Sequence, residues 1–79
     1  MQHPFSRGTR VEKTNSEPGD AHRNGEMGTV RSVLGPTPRD IPTPRGMIPK
    51  GTYGYFVEWD NLRGIPIATV GLKVKAVPA

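Results

Sequence analysis

The sequence contains no cysteine. Disulfides, thiolate metal sites and a cysteine nucleophile are excluded, so the fold must hold by its core or by association. Long apolar runs are also missing, and nothing approaches the roughly 18 residues of a membrane-crossing helix. Met1-Gln2-His3-Pro4-Phe5 lacks the basic start and apolar stretch of a signal peptide, and a cytoplasmic location is expected. Aromatics are few: one Trp, two Tyr and two Phe. Helix-forming stretches are scarce too, because 10 Gly and 9 Pro interrupt the chain throughout.

What remains describes one small domain. Its 79 residues are 33% hydrophobic, which gives a thin core, since a chain of this size buries only about 60% of its unfolded surface. That is too little apolar material for a helical bundle and enough for short strands with many turns. An all-β domain is expected over residues 8–79, preceded by a loose tail, 1–7, whose Phe5 can fold back onto it. Eleven Lys and Arg against seven Asp and Glu leave a net charge of +4, which favours encounter with anions such as nucleic acid.

Five strands can be read along the chain. Residues 9–14 place Val11 among polar neighbours, as in an edge strand with one buried position. Residues 15–25, with Pro18-Gly19 and Asn24-Gly25, are a loop of turn residues. Residues 27–34 are the second strand. Val30 and Val33 lie three apart, which predicts a β-bulge near Arg31 that turns both inward, with Gly28 allowing close backbone approach. Residues 53–59 are the strongest strand, with Tyr55, Val57 and Trp59 on one face and Phe56 and Glu58 on the other. Residues 65–70 follow, with Ile65, Ile67 and Thr69 on one face and Pro66 marking an edge or a bulge. Residues 72–77 close the series, Leu72, Val74 and Ala76 alternating with Lys73, Lys75 and Val77.

Residues 35–52 stand apart. Pro36, Pro38, Pro42, Pro44 and Pro49 fall within them, and Thr37-Pro38-Arg39 is echoed by Thr43-Pro44-Arg45. Proline at this density favours extended backbone and forbids a central strand, so a long Pro-rich loop is expected between the second and third strands. Its apolar Ile41, Met47 and Ile48 can pin it to a surface.

Gly8-x-Arg10-Val11, Gly25-x-x-Gly28-x-Val30, Tyr55-x-Val57-x-Trp59-Asp60 and Gly71-Leu72 together resemble the SH3-like small β-barrels, such as KOW and Tudor-like modules. The resemblance implies a five-stranded barrel. The order Arg10-Val11, Pro18-Gly19, His22, Gly25, Gly28, a Pro-rich insertion and Leu72 is also similar to the barrel of the nitrile hydratase β subunit, implying a subunit of a larger complex. A weaker likeness is to the type II dihydrofolate reductases. Their Val-Gln-Ile-Tyr substrate motif is replaced here by Ile65-Pro66-Ile67-Ala68, which removes the reason to expect folate chemistry. These residues encode turns and core positions, and fold alone does not choose a function.

Two kinds of chemistry compete with structural roles. Tyr53, Tyr55, Phe56 and Trp59 can form an aromatic cage for a methylated ammonium group, yet with five aromatics in the chain a core role outweighs it. Arg31, Arg63, Lys73 and Lys75, with Arg10 and Lys13, can form a basic face, since no acid follows Asp60. Tyr55 and Trp59 beside that face would offer stacking platforms for unpaired bases. The competing reading is a solvated strand face whose lysines discourage edge-to-edge aggregation. Arg31, Arg63, Lys73, Lys75, Tyr55 and Trp59 are therefore the candidate residues for binding nucleic acid or a protein partner. His22 and Asp20, with His3, make a poor metal set. Ser6, Ser16 and Ser32 lie in no nucleophile setting, and no catalytic residue, metal or cofactor is assigned. A subunit acting by self-association is the alternative, suggested by the thin core and the apolar residues of 35–52.

Overall fold

The computed structural model describes residues 4–44 and 46–78. Residues 1–3 of the expected tail and Arg45 of the second Thr-Pro-Arg unit lie outside that range. The chain is all-β. Its strands are β1 (Arg10–Lys13), β2 (Met27–Leu34), β3 (Ile41–Thr43), β4 (Gly46–Ile48), β5 (Gly54–Trp59), β6 (Ile67–Val70) and β7 (Val74–Ala76), with a 3-10 turn at Gly71–Lys73. Five strands form one antiparallel sheet in the order β6-β5-β2-β1-β7, while β3 and β4, among the described residues, pair only with each other. Among the described residues no helix is long and apolar enough to cross a membrane.

The expected closed barrel is corrected to an open sheet whose edges are β6 and β7. The 3-10 turn carries the chain from one edge strand to the other without pairing them. It is pinned by the Gly71 amide donating to the Tyr53 carbonyl at 2.8 Å, and a Cβ at Gly71 would sit 2.5 Å from that oxygen. The turn also corrects the fifth strand, which begins at Val74. Leu72 is 51% exposed instead of facing the core.

The inner face of the sheet follows the period-two pattern of the sequence. Val11, Val30, Tyr55, Val57, Trp59 and Val74 are buried, with Phe5, Tyr53 and Ile67 packed against them. The bulge near Arg31 is present as a register shift between Val30 and Ser32. It buries Val30 but not Val33, which is 39% exposed beyond the buried cluster. Ile65 is likewise exposed, because β6 begins only after Pro66. Past the bulge, Ser32 stands beside Phe56 and Phe56 beside Ala68, so the outer face has one uncharged row.

The Pro-rich segment is corrected from a plain loop to a two-stranded ribbon. Ile41 pairs with Ile48, Pro42 with Met47 and Thr43 with Gly46. Proline is compatible with this ribbon because neither strand is central. Its neck is fastened by Thr37, whose hydroxyl donates to the Pro49 carbonyl at 2.9 Å and whose amide donates to the Thr52 carbonyl at 3.0 Å. The Asp40 carboxylate accepts the Lys50 amide at 2.7 Å, closing the base of the ribbon.

Candidate functional site

The six candidate residues fall into four settings. Trp59 is 1% exposed. The His22 ring stacks on it with centroids 4.4 Å apart, and Asn61 lies 3.1 Å from the His22 Nε2. An indole enclosed in this way offers no face to a base. Tyr55 is also interior, but its ring is stacked by Phe5 at 5.2 Å, and its hydroxyl accepts the Phe5 amide at 3.0 Å. It borders the cleft beside Lys75.

Arg31 and Arg63 belong to the surroundings of the β5–β6 turn. Arg31 pairs with Glu58 at 3.5 Å, and Glu58 also accepts the Gly64 amide at 2.8 Å. Arg10 grips Asp60 with both terminal nitrogens, at 2.8 and 2.6 Å, and also donates to Thr29. The Arg10 hydrogen bonds hold the Asp60 carboxyl below its ordinary range, helped by the nearby Arg63 charge. Two carboxylates thus stand among three arginines.

Lys73 is the clearest correction. It does not share a strand face with Lys75, because it lies in the 3-10 turn, where its ammonium meets Asp20 at 2.8 Å and Glu17 at 3.3 Å. The same Asp20 carboxylate receives Lys13 at 3.3 Å. Lys13 follows Val11 on the inner face of β1 and is buried; its ammonium also donates to Ser16 Oγ at 3.0 Å and to the Thr14 carbonyl at 3.1 Å. Asp20 thus ties the loop of residues 15–25 to β1 and to the turn before β7. The Lys73 hydrogen bonds, with the Glu17 amide, hold its carboxyl far below the usual carboxylate range.

A group whose pKa is depressed by folding stabilises the fold above its unfolded value, and that stability is lost as pH falls. The melting temperature is therefore expected to stay level from neutral pH down to roughly pH 4 and to fall below it. Asp20→Asn should lower the melt at neutral pH and flatten this acid limb. A variant that melts like the parent at every pH would show that the carboxylate does not hold the loop.

The remaining candidate, Lys75, is exposed and borders a cleft of about 650 Å³. Lys50 and Lys75 line it together with Phe5, Tyr53, Tyr55, Gly71 and Val74. No acid is among the described residues that line it. Glu12 is the cross-strand neighbour of Lys75, yet no ion pair joins them among the described residues. Elsewhere the acids are engaged: Glu17, Asp20, Glu58 and Asp60 with cations, Asp40 with the Lys50 amide, and Glu26 with Asn61 and the Arg23 amide. The surplus positive charge therefore resides partly in the two cleft lysines.

The sequence names Lys75 and Tyr55 as candidates, groups Tyr53 with Tyr55 and allows Phe5 to fold back, but gives no sign that Lys50 lines the same cleft. Lys50 stood in the segment expected to be a plain loop, and only the ribbon's neck returns it to the sheet. The Lys13–Asp20–Lys73 knot had one local signal, a lysine two residues after a buried valine; its distant partner had none. Among the described residues no group of three or more His, Asp or Glu is placed to hold a metal ion. No protein-family model matches the chain, and no curated protein or solved structure matches it significantly.

Proposed function

We propose that the chain is an SH3-like binding module that holds single-stranded nucleic acid in the cleft between Lys50 and Lys75. The open order β6-β5-β2-β1-β7, with a 3-10 turn entering the last strand, supports the SH3-like reading. One observation carries the functional part: two lysines without ion pairs among the described residues flank an acid-free cleft lined by three aromatic residues. Lysines take the phosphates, and Tyr53 and Phe5 offer ring surface to an unstacked base. A cleft of about 650 Å³ lies within the range of small-ligand sites, so a short stretch of strand is the expected footprint.

The test is an anisotropy titration of a labelled single-stranded oligonucleotide. Two phosphate contacts predict affinity falling roughly sevenfold between about 50 and 200 mM salt. Lys50→Glu combined with Lys75→Glu should weaken binding more than about tenfold while lowering the melt only modestly, since neither side chain is buried and the one new repulsion is with Glu12 across the strand pair. A double variant that binds like the parent would sink this reading.

The second reading, a subunit working by association, is favoured by a separate groove between the ribbon and the 3-10 turn. Met47, Ile48, Val70 and Leu72 line it, and Met47 is 57% exposed. No oligonucleotide binding at low salt, together with elution as an assembly, would favour it over the first.

A further inference from the structure

Asn24-Gly25 is the one Asn-Gly pair in the chain. Such a pair is open to an internal reaction, because no side chain shields the glycine nitrogen. That nitrogen attacks the asparagine Cγ. A new N–Cγ bond forms, the Cγ–Nδ2 bond breaks, and Nδ2 leaves as ammonia with the proton that the glycine nitrogen gives up. Water then opens the five-membered imide at either carbonyl, which leaves aspartate or its isoaspartyl isomer at position 24.

Both residues are exposed, so water reaches them freely. The fold nevertheless engages both reacting groups. The Gly25 amide donates to the Lys13 carbonyl at 3.0 Å, and the nitrogen must give up that bond before it can attack. The Asn24 Oδ1 accepts the Ser16 amide at 2.9 Å, which fixes the carboxamide against the other arm of the loop. The same two residues also anchor Asp20. Lys13 holds Gly25 with its carbonyl while its ammonium donates to Asp20 and to the Ser16 hydroxyl oxygen. Lys73 secures Asp20 from the 3-10 turn at 2.8 Å.

We propose that Asn24 is a site of spontaneous deamidation that the Lys13–Asp20–Lys73 knot holds closed. Opening the loop of residues 15–25 releases nucleophile and target together. Local openings of this kind cost less than unfolding the sheet, so the knot sets the rate. The other asparagines are poorer substrates. The branched side chain of Leu62 follows Asn61, and Asn15, followed by Ser16, has its Nδ2 donating to the Leu72 carbonyl at 2.9 Å. The reaction needs only water, and it adds one negative charge to a chain whose net charge is +4. The two products differ in fit. An aspartyl carboxylate still accepts the Ser16 amide, whereas the isoaspartyl form lengthens the main chain between positions 24 and 25 and shifts Gly25 away from Lys13. This chemistry does not depend on ligand binding in the cleft.

The test is incubation at neutral pH and physiological temperature, followed by peptide mapping in a mass spectrometer. Conversion at Asn24 should run at least about tenfold slower in the native protein than in concentrated urea. Asp20→Asn should bring the native rate toward the unfolded one while circular dichroism still shows the sheet. Lys73→Gln leaves Lys13 its partner and should give a smaller acceleration; it takes the place of Asp20→Asn if that variant does not fold. Three results would overturn the proposal: equal rates with and without urea, a native rate that neither variant changes, or conversion at Asn15 or Asn61 ahead of Asn24.

Discussion

Trp59→Ala is expected to leave the domain largely unfolded at physiological temperature. Truncating a buried Trp costs about 3–5 kcal/mol, and small domains lie near the lower end of the usual 5–15 kcal/mol of total stability. At about 4–8 °C per kcal/mol for this chain length, far-UV circular dichroism should show a melting temperature lowered by more than about 12 °C. The reason is concentration of burial. Trp59 is the largest of the fully buried side chains, and the other three are valines. It joins β5 to the long loop through its stack with His22. Trp59→Phe should be far milder, since it keeps a ring and removes an indole nitrogen that has no hydrogen-bond partner among the described residues. A melt lowered by less than about 5 °C in the alanine variant would move the centre of the core elsewhere.

Gly28→Val should destabilise for the opposite reason. Gly28 stands opposite Trp59 on β2, and a Cβ there would lie 2.6 Å from Val57 Cγ1 and 3.0 Å from Trp59 Cε3. The Glu58 carbonyl oxygen, also at 3.0 Å, belongs to the backbone and has little room to yield. Overpacking of this kind costs about 1–3 kcal/mol, and more where the backbone must move. The two substitutions share one space, so they should not add. Gly28→Val in the Trp59→Ala background should cost less than it does alone, because the missing indole vacates part of the volume that the valine needs. Chemical denaturation of the four proteins at about 10–20 °C, where stability is greatest and the alanine variants keep most of their fold, measures this coupling. Strict additivity would mean that the indole does not occupy the space above Gly28.

The sequence spoke clearly where one interaction dominates. Alternation along residues 53–59 reflects burial of every second side chain, and Tyr55, Val57 and Trp59 are buried accordingly. The bulge was legible because Val30 and Val33 break the period. Its consequence for Val33 was not, since exposure depends on how far the core extends and not on the strand itself. Residues 71–73 show the limit of pattern reading. Leu-Lys-Val-Lys-Ala alternates perfectly, yet the close contact of Gly71 with Tyr53 turns the chain before Val74 and sends Lys73 to Asp20. The ribbon was hidden because proline content argued against strands, and an isolated pair does not need the amides that Pro42 lacks. The cleft was hidden for a related reason: Lys50 and Lys75 are brought together by the ribbon's neck and the sheet edge, which no local spacing records.

The extra residue in β2 has a consequence for how this chain tolerates shortening. Arg31 is the residue left over between the Val30–Val57 and Ser32–Phe56 pairs. Deleting it leaves Ser32 on the outer side and Val33 on the inner, as a regular strand would, and removes the local bend and the exposed Arg31–Glu58 pair. Deleting Thr29 has no such reserve. Val30 would then take the outward place opposite Glu58, which Thr29 holds, and a fully buried valine would leave the core. Two one-residue losses, two positions apart, differ in whether the faces of the strand survive.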